Sequence, residues 1–366
     1  MSNLLEKLKK SGSIKDTLLL SESKFFNIKD TIPTNIPIIN IALSGSMKGG
    51  LSSGLTFIAG ESKNFKSLLG LMLVKAYLSK YEDAICLFYD SEFGITPEYI
   101  QTNGIDTDRV LHIPIEHLEQ LKFDISKRLE SIDRDDRVII FVDSVGNLAS
   151  KKEVEDALDG KSVADMSRAK VMKSLWRIVT PHLTIKDIPC VAINHTYQTM
   201  ELYSKPIMSG GTGGMYSSNK VLFISKAQDK DKTSKELLGY DFTINIEKSR
   251  LVKEKSKFTF NVKFEGGINK WSGLLDLAIN AGLVVKPSQG WYSKVNQETG
   301  EIEEKKYREK ETNNKEFWED IISNEKFNIF IEEKYQLSKK TKILDTDNDE
   351  KEVDIVWKSN LQQSNL

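Results

Sequence analysis

The chain has 366 residues, enough for one large α/β domain with appendages or for two domains. Its 53 acidic and 52 basic residues nearly cancel, leaving a formal charge of -1. No global positive field therefore draws the chain to nucleic acid or to anionic membranes, and a polyanion site must come from local basic groups or from repeated subunits.

The two cysteines, Cys86 and Cys190, each lie in an apolar run, where a buried free thiol is the expected state. This argues against a disulfide framework and fits a reducing cytoplasm. The first residues lack the sustained apolar core of a signal peptide, and no apolar stretch approaches the roughly 20 residues of a membrane span. We expect a soluble intracellular protein with no membrane partner.

The first predicted element is a helix over residues 1–20, with Leu4, Leu5 and Leu8 on one stripe. The segment is too short to bury this stripe by itself. It should therefore dock either on the core of its own chain or on a neighbouring subunit.

From residue 51 onwards, apolar strands alternate with amphipathic helices. The strands are GLTFIAG, AICLFYD, VIIFVD and CVAIN, and the helices are Ser67–Leu78, a helix marked by Leu118, Leu121, Ile125 and Leu129, and Met166–Val179. This pattern is typical of a parallel sheet covered on both faces.

Three further strands, VLFIS, YDFTINIE and FTFNVKF, follow without long helices between them. In the last, Phe258, Phe260, Val262 and Phe264 alternate with polar residues, as in a strand with one buried face. We predict an antiparallel extension of the sheet.

Beyond residue 270 the sequence is charged, with a hairpin predicted around residues 296–300. The stretch Asp345–Asp354 is acidic, which is typical of a solvated tail.

The segment Gly60–Ser67, GESKNFKS, lies between a buried strand and a helix and resembles the phosphate loop G-x-x-x-x-G-K-[ST]. In that loop the backbone N–H groups wrap phosphates, the lysine reaches the outer phosphates and the hydroxyl holds Mg²⁺. Phe65 replaces the last glycine, which is tolerable if it adopts a negative, near-helical φ. The predicted ATP-binding residues are Gly60, Glu61, Ser62, Lys63, Asn64, Phe65, Lys66, Ser67 and Leu68.

Carboxylates at or just after the ends of two strands could bind Mg²⁺ and activate water for ATP hydrolysis. Asp143 ends VIIFVD and is predicted to hold Mg²⁺ together with Ser67. Neither neighbour of Asp143 is acidic, so the base must lie elsewhere. Glu92 follows the strand that ends at Asp90, at the edge where ligands bind, and can deprotonate the attacking water. The alternative is that Asp90 and Glu92 are solvated loop acids.

The order of these motifs resembles that of the RecA-like recombinases, and in detail that of the UvsX-type recombinases of T-even-type phages. The resemblance is carried by SKFFNIKD, IPIINIALSG, GESKNFKS, LFYDSEFGITPEYI, FVDSVGNLASKKEVEDAL, INHTYQTM, SGGTGGMYS and IEKSRLVKEKSKF. These segments span almost the whole chain, and the phenylalanine in the phosphate loop is similar to the phage branch. The resemblance implies an α/β fold, with a RecA-like P-loop ATPase core whose mostly parallel, helix-covered sheet is extended by antiparallel strands.

The resemblance implies three parts. Residues 1–30 would be a helical arm for subunit packing, residues 31–270 the ATPase and DNA-binding core, and residues 271–366 a small C-terminal region with an acidic tail.

The resemblance also assigns roles in catalysis. It makes Glu92 the catalytic glutamate, with Lys66 at the phosphates, and places Tyr99 against adenine, although a helix-core tyrosine is the plainer alternative. His195, at the end of the CVAIN strand, would sense the γ-phosphate, where RecA has glutamine. A neutral imidazole can still donate one hydrogen bond to phosphate.

Lys248 and Arg250 match the family pair that reaches across the subunit boundary to the ATP of a neighbour. Positive charge would then meet the transferring phosphate only when two subunits assemble. On their residue types alone, both would belong to a solvated basic strand. Tyr216 resembles the aromatic residue that reports the nucleotide state across the same boundary.

Two segments are predicted to contact DNA, one from about Ser150 to Met166 and one from Thr196 to Met215. Glycines in the second permit close backbone approach, and contacts to phosphates bind DNA without sequence preference. Ordinary surface loops are the alternative, although loops of about 20 residues are uncommon in compact domains. The predicted contacts are Lys151, Lys152, Arg168, Thr196, Gly210 and Gly211.

These features predict an ATP-dependent recombinase that forms filaments on single-stranded DNA and pairs it with homologous double-stranded DNA. A phage mediator and a single-strand-binding protein are the expected helpers, in the cytoplasm of a bacterial host. A hexameric helicase is one alternative, but it needs an N-terminal assembly domain and fewer than about 30 residues precede the core. A module that uses ATP only as a structural switch is another.

Overall fold

A mixed sheet organises the chain in the computed structural model, which describes residues 3–14, 17–23, 30–160, 167–200, 204–231, 233–297 and 299–337. Its strands are β1 Gly54–Gly60, β2 Ile85–Asp90, β3 Val110–Pro114, β4 Val138–Asp143, β5 Pro189–Gln198, β6 Pro206–Met208, β7 Lys220–Lys230, β8 Leu237–Ser249, β9 Lys257–Lys263 and β10 Gly267–Ile268. The order in the sheet is β10-β9-β8-β7-β1-β5-β4-β2-β3, and β6 pairs with β5.

Helices connect and cover these strands, and a small second sheet follows them. The helices are α1 Asn3–Ser11, α2 Pro37–Ser44, α3 Lys66–Lys80, α4 Pro97–Thr102, α5 Leu118–Ser131, α6 Lys151–Leu158, α7 Ser167–Ile185, α8 Thr212–Ser217, α9 Leu274–Asn280, α10 Lys315–Ser323 and α11 Glu325–Tyr335. The second sheet contains β11 Val284–Ser288, β12 Trp291–Lys294 and β13 Tyr307–Arg308. Among the described helices, none is both long enough and apolar enough to cross a membrane.

The predicted division of the sheet into a parallel part and an antiparallel part is confirmed. The strands β3, β2, β4, β5, β1 and β7 pair in parallel. The pairs β7–β8, β8–β9 and β9–β10 are antiparallel. The alternation predicted for β9 holds for Phe258 and Phe260, which are buried, whereas Phe264 lies beyond the strand and is exposed.

The strands of the parallel part are apolar on both faces because each face packs into its own core. In β1, Ile58 belongs to one buried cluster, while Phe57 and Ala59 belong to the other. The predicted stripe of α5 is buried in the second cluster. Cys86 and Cys190 are buried free thiols, as predicted.

The parallel arrangement brings the ends of several strands to one edge of the sheet. Asp90 at the end of β2 lies opposite Asp143 at the end of β4, and Gly60 at the end of β1 lies opposite His195 in β5. These four residues therefore lie at one edge, as expected for ligand sites in parallel sheets. Lys248, in contrast, pairs with Val221 towards the opposite end of the sheet.

The N-terminal helix is shorter than the sequence pattern predicted. Its helical part ends at Ser11, and a 3₁₀ turn at Leu20–Glu22 follows. Leu4 and Leu8 are 63% and 58% exposed, so these two members of the stripe do not pack on the core of their own chain. Of the two alternatives for the stripe, docking on another subunit therefore gains support.

The region beyond residue 270 has more structure than its charged composition indicates. Trp271 stacks near Trp318 at a centroid distance of 6.2 Å, and Phe317 and Phe327 are buried in the same cluster as strands β8 and β9. The predicted hairpin is confirmed by an antiparallel bridge between Val295 and Ile302. The acidic stretch from residue 345 to residue 354 lies outside the described residues. The division at residues 30 and 270 remains a prediction.

Lys220, at the start of β7, is 1% exposed, and its Nζ donates a hydrogen bond to Ser52 Oγ at 2.6 Å. Burial lowers the pKa of Lys220 to about 7. A lysine in the unfolded chain has a pKa of about 10.4, so between these values the unfolded state binds more protons than the folded state. The free energy of unfolding contributed by this group therefore rises as the pH rises from 7 towards 10.

We expect the wild type to gain about 2 kcal/mol of unfolding free energy between pH 7 and pH 9 relative to Lys220→Met. Urea unfolding of both proteins at the two pH values measures the difference. The same substitution at exposed Lys257 is the matched control and should leave the pH dependence of the wild type in place. Equal pH dependence of wild type and Lys220→Met would contradict the assignment of a buried amine with a lowered pKa.

Candidate active site

The phosphate loop adopts a conformation at Phe65 that differs from the one expected. Phe65 caps α3 with φ of 60° and ψ of 13°, so the expected negative φ is wrong. This left-handed conformation is strained for a residue with a side chain. The Phe65 ring lies 5.0 Å from the ring of Phe242 and 5.6 Å from the ring of Phe260. Packing against β8 and β9 therefore stabilises a backbone that would otherwise favour glycine.

Strand β7 holds the loop from its other side. A Cβ added to Gly60 would lie 2.5 Å from the carbonyl oxygen of Ile224, so glycine is required by close backbone approach. Asn64 is buried and donates a hydrogen bond from Nδ2 to the same carbonyl oxygen at 3.0 Å. The loop is thus held by β7 at Gly60 and Asn64 and by β8 and β9 at Phe65.

The remaining loop residues differ in exposure. Glu61, Ser62 and Lys63 are exposed, and Leu68 lines an open cavity.

Tyr99, on α4, is 38% exposed, and its carbonyl oxygen accepts a hydrogen bond from Asn103, a residue that lines the same cavity. An adenine contact at Tyr99 remains a prediction.

Lys66 is 6% exposed, and its Nζ donates a hydrogen bond to the carbonyl oxygen of Glu61 at 2.6 Å. Burial lowers the pKa of Lys66, and the negative charges of Glu92 and Asp143 oppose this shift. The ammonium group is therefore held inside the curve of the loop, near two carboxylates.

Asp143 has the properties of a cation ligand. It is 3% exposed, burial raises its pKa to about 6, and a hydrogen bond with Ser67 opposes this shift. Its Oδ1 atom is buried and has no hydrogen-bond partner among the described residues. A hydroxyl beside a carboxylate with an unpaired oxygen fits Mg²⁺, which takes oxygen ligands. Ser67 and Asp143 would hold the ion.

Glu92 is fixed both by its backbone and by its carboxylate. The backbone N–H groups of Glu92 and Phe93 donate to Asp90 Oδ1 at 3.0 and 2.8 Å. The Oε1 atom of Glu92 accepts hydrogen bonds from Ser144 Oγ at 2.5 Å and Asn147 Nδ2 at 2.9 Å. Neither Asp90 nor Glu92 is therefore a freely solvated loop acid.

The structure also brings together Glu92 and His195, which were predicted separately as the base and the γ-phosphate sensor. His195 Nε2 lies 3.1 Å from Glu92 Oε1. The hydrogen bond from His195 is the largest cause that lowers the pKa of Glu92, and the bond from Ser144 adds to it. A Cβ added to Gly146 would lie 2.5 Å from His195 Cδ2, so the chain needs glycine where it crosses this ring.

The sequence prediction missed Ser144 and Asn147. Both follow Asp143 within the segment that leaves β4, so the ends of parallel strands could have suggested them. Residue type alone does not reveal that their hydrogen-bond donors turn towards Glu92.

The predicted interface residues lie at the end of β8. Lys248 Nζ donates to the carbonyl oxygens of Met215 and Tyr216 at 2.7 and 3.0 Å, at the end of α8. Burial lowers the pKa of Lys248, and the charge of Arg250 adds to this shift. Arg250 is exposed, and so is Tyr216, which is consistent with surface roles for both.

Comparison with known proteins places the chain in a family. Residues 1–269 match the model of the RecA N-terminal domain, and residues 271–331 match the model described as "Bacteriophage T4, Recombination and repair protein, C-terminal domain". The chain is 54% identical over 341 residues to the "Recombination and repair protein" of Enterobacteria phage T4, covering 92% of this chain and 87% of that protein. The chain belongs to the RecA family.

More distant members of the RecA family also match most of the chain. The mitochondrial DNA repair protein recA homolog of Dictyostelium discoideum is 27% identical over 299 residues, covering 80% of this chain and 63% of that protein. Protein RecA of Cutibacterium acnes is 24% identical over 307 residues, covering 83% of this chain and 84% of that protein. The resemblance to phage recombinases and the RecA-like fold are confirmed, and the family supports a recombinase rather than a hexameric helicase.

The second predicted DNA-binding segment of this RecA-family chain is largely ordered, which corrects the expectation of a long loop. Strand β5 runs to Gln198, β6 pairs back on it, and α8 follows. Thr196 lies opposite Met208 in this hairpin. Gly210 and Gly211 have φ of 88° and 78°, so they allow the sharp entry into α8. Residues 201–203 lie outside the described residues.

The first predicted DNA-binding segment also contains more regular structure than a loop. Ser150 caps α6 in a capping box with Glu153, and the helix places Lys151 and Lys152 at the surface. Lys151 forms an ion pair with Glu155 at 3.6 Å. Residues 161–166 of this segment lie outside the described residues.

Arg168 lies at the start of α7, as predicted, between these two segments. Its Nε donates to the carbonyl oxygen of Leu148 at 2.8 Å, and one terminal nitrogen donates to that of Gly146 at 2.7 Å. The other lies 3.2 Å from Ser209 Oγ. Its guanidinium is thus engaged with protein, and a DNA phosphate would have to compete with these bonds.

Proposed function

We propose that this chain is an ATP-dependent DNA strand-exchange recombinase that forms helical filaments on single-stranded DNA. The observation that carries the proposal is the meeting of Lys66, Ser67, Asp143, Glu92 and His195 at one sheet edge. The segments that leave this same edge after β4 and β5 carry the candidate DNA contacts. A recombinase of this kind would act in recombination, repair and recombination-dependent replication.

Each residue at this edge has a role in hydrolysis of ATP. Lys66 would bind the outer phosphates, and Ser67 and Asp143 would hold Mg²⁺, which neutralises charge on the phosphates when it is bound. Glu92 would orient the attacking water and accept its proton as the water oxygen bonds to the γ-phosphorus and the bond to the leaving ADP oxygen breaks. His195 would contact the γ-phosphate, so that its loss is sensed beside β6 and α8.

Assembly would complete the site. The exposed Leu4 and Leu8 of α1 give each subunit an apolar surface for a neighbour, and Arg250 is exposed beside Lys248. These two cations would stabilise the transferring phosphate of the adjacent subunit. Partner proteins would be a phage mediator and a single-strand-binding protein in the bacterial cytoplasm.

Strand exchange between a circular single strand and a homologous linear duplex tests the proposal. With ATP and Mg²⁺ we expect joint molecules, and none with a heterologous duplex. Lys66→Ala should abolish both hydrolysis and joint molecules because the phosphates lose their buried cation. Lys127→Ala, at an exposed position on α5, is the matched control and should retain both.

Two results would contradict the proposal that this chain is a recombinase. One is DNA-stimulated hydrolysis without joint molecules from homologous DNA. The other is a closed ring in solution that unwinds duplexes and does not pair strands, which would restore the helicase alternative.

A further inference from the structure

Asn147 connects a predicted DNA-binding segment to the candidate catalytic base. It is exposed in the short stretch between β4 and α6, and its Nδ2 donates to Glu92 Oε1 at 2.9 Å. The other two groups on this oxygen are Ser144, which is fully buried, and His195, which lies within β5. Of these three groups, Asn147 is the most exposed, and His195, whose side chain is 28% exposed, is the one assigned to the γ-phosphate.

The backbone of Glu92 is held by hydrogen bonds, so it does not readily carry the effect of DNA binding to the Glu92 carboxylate. Asp90 Oδ1 accepts both N–H groups of the turn, at Glu92 and Phe93. Ser91 Oγ donates to the carbonyl oxygen of Ser144 at 2.8 Å and accepts from its N–H at 3.1 Å. The position of the Glu92 carboxylate therefore depends on the groups that hold Oε1.

Arg168 holds the chain on both sides of Asn147. It binds the carbonyl oxygens of Gly146 and Leu148, the two residues that flank Asn147, and reaches Ser209 within the second predicted DNA-binding segment. A DNA phosphate that attracts Arg168 would loosen these carbonyls together. The Asn147 side chain would then leave Glu92.

Hydrogen bonds to Oε1 of Glu92 limit its action as a general base. A carboxylate oxygen that already accepts several hydrogen bonds has fewer lone pairs for a water proton, and these bonds hold the Glu92 side chain in one orientation. We propose that Asn147 is a positioning residue that restrains Glu92 until DNA binds, and so couples DNA binding to ATP hydrolysis. This inference rests on the proposed function.

The test is ATP turnover by the full-length Asn147→Ala protein, with and without saturating single-stranded DNA. We expect the DNA-free kcat to rise about tenfold, the value of one hydrogen bond to a charged group. The DNA-bound kcat and the KM for ATP should stay within about twofold of the wild type, because the phosphate loop is unchanged. The ratio of DNA-bound to DNA-free turnover should therefore be much lower than in the wild type.

Asn147→Asp is the second variant, since it keeps the size of the side chain but cannot donate a hydrogen bond when ionised. It should also raise DNA-free turnover, whereas Asn313→Ala, at an exposed position outside the site, should not. Combining Asn147→Ala with Glu92→Gln should give the low turnover of Glu92→Gln alone, because Asn147 acts through Glu92.

Unchanged or reduced DNA-free turnover in both Asn147 variants would overturn the inference. The result is separable from failure of the proposed function. A wild type that shows no DNA-stimulated hydrolysis would refute the DNA-dependent ATPase itself, whereas normal stimulation in both the wild type and the variants would refute only the role of Asn147.

Discussion

Glu92→Gln is expected to lower kcat for ATP hydrolysis by about 10²- to 10⁴-fold, the usual contribution of a general base. Glutamine keeps the size of the side chain, and its amide oxygen can still accept hydrogen bonds from Ser144 and His195. It cannot take a proton from water at neutral pH. Because Lys66 and Ser67 are unchanged, ATP should still bind, and filaments formed with ATP should persist on DNA instead of dissociating.

Phosphate release under steady-state conditions, together with the binding of a fluorescent ATP analogue, measures both parts of this expectation. Glu82→Gln is the matched control, because Glu82 is exposed and precedes β2 at the other end of the strand. Turnover of Glu92→Gln equal to that of the wild type would show that another group is the base. If neither protein hydrolysed ATP, the chain would be a module that uses ATP as a structural switch.

The position of Glu92 and Asp143 could be predicted because it follows from the direction of strands. Apolar runs alternating with helices predict a parallel sheet, and the carboxyl ends of parallel strands share one edge. Asp90 and Asp143 lie opposite each other in the observed register for this reason. The hydrophobic pattern thus determines both the sheet and the place of its acidic residues.

The finer parts of the site depend on contacts that no local pattern contains. Asn147 was missed, and its partner is Glu92. Arg168 was predicted to contact DNA, but its partners in the structure are main-chain carbonyls. The short helices α6 and α8 were predicted as loops because segments of six to eight residues contain too few turns for a reliable periodic pattern. Tertiary packing and capping, as at Ser150, determine whether such segments form helices.

Phe65, in the phosphate loop, is a second residue whose conformation depends on tertiary contacts and not on local sequence pattern. Its conformation could not be predicted because Phe242 and Phe260, which hold the ring, come from strands β8 and β9. A left-handed backbone costs a residue with a side chain about 1–2 kcal/mol, and glycine avoids this cost. Aromatic packing opposes the strain, so the two contributions can be separated by substitution.

We expect Phe65→Ala to lower the free energy of unfolding by about 3 kcal/mol, because it loses the ring contacts and keeps the strain. Phe65→Gly loses the same contacts but relieves the strain, so its loss should be about 2 kcal/mol. Urea unfolding at constant pH measures both values. The matched control is Phe123→Ala, since Phe123 is 72% exposed on α5, and its effect should stay within about 0.5 kcal/mol.

Phe65→Gly should nevertheless retain ATPase activity, because glycine is the usual residue at this position of a phosphate loop and Lys66 and Ser67 remain. Stability and activity would then separate: the ring would secure the loop against β8 and β9, and the backbone would bind the phosphates. A glycine variant less stable than the alanine variant would contradict the account of strain. Loss of nucleotide binding in Phe65→Gly would instead show that the aromatic ring shapes the phosphate site, since the phosphate-binding groups themselves are unchanged.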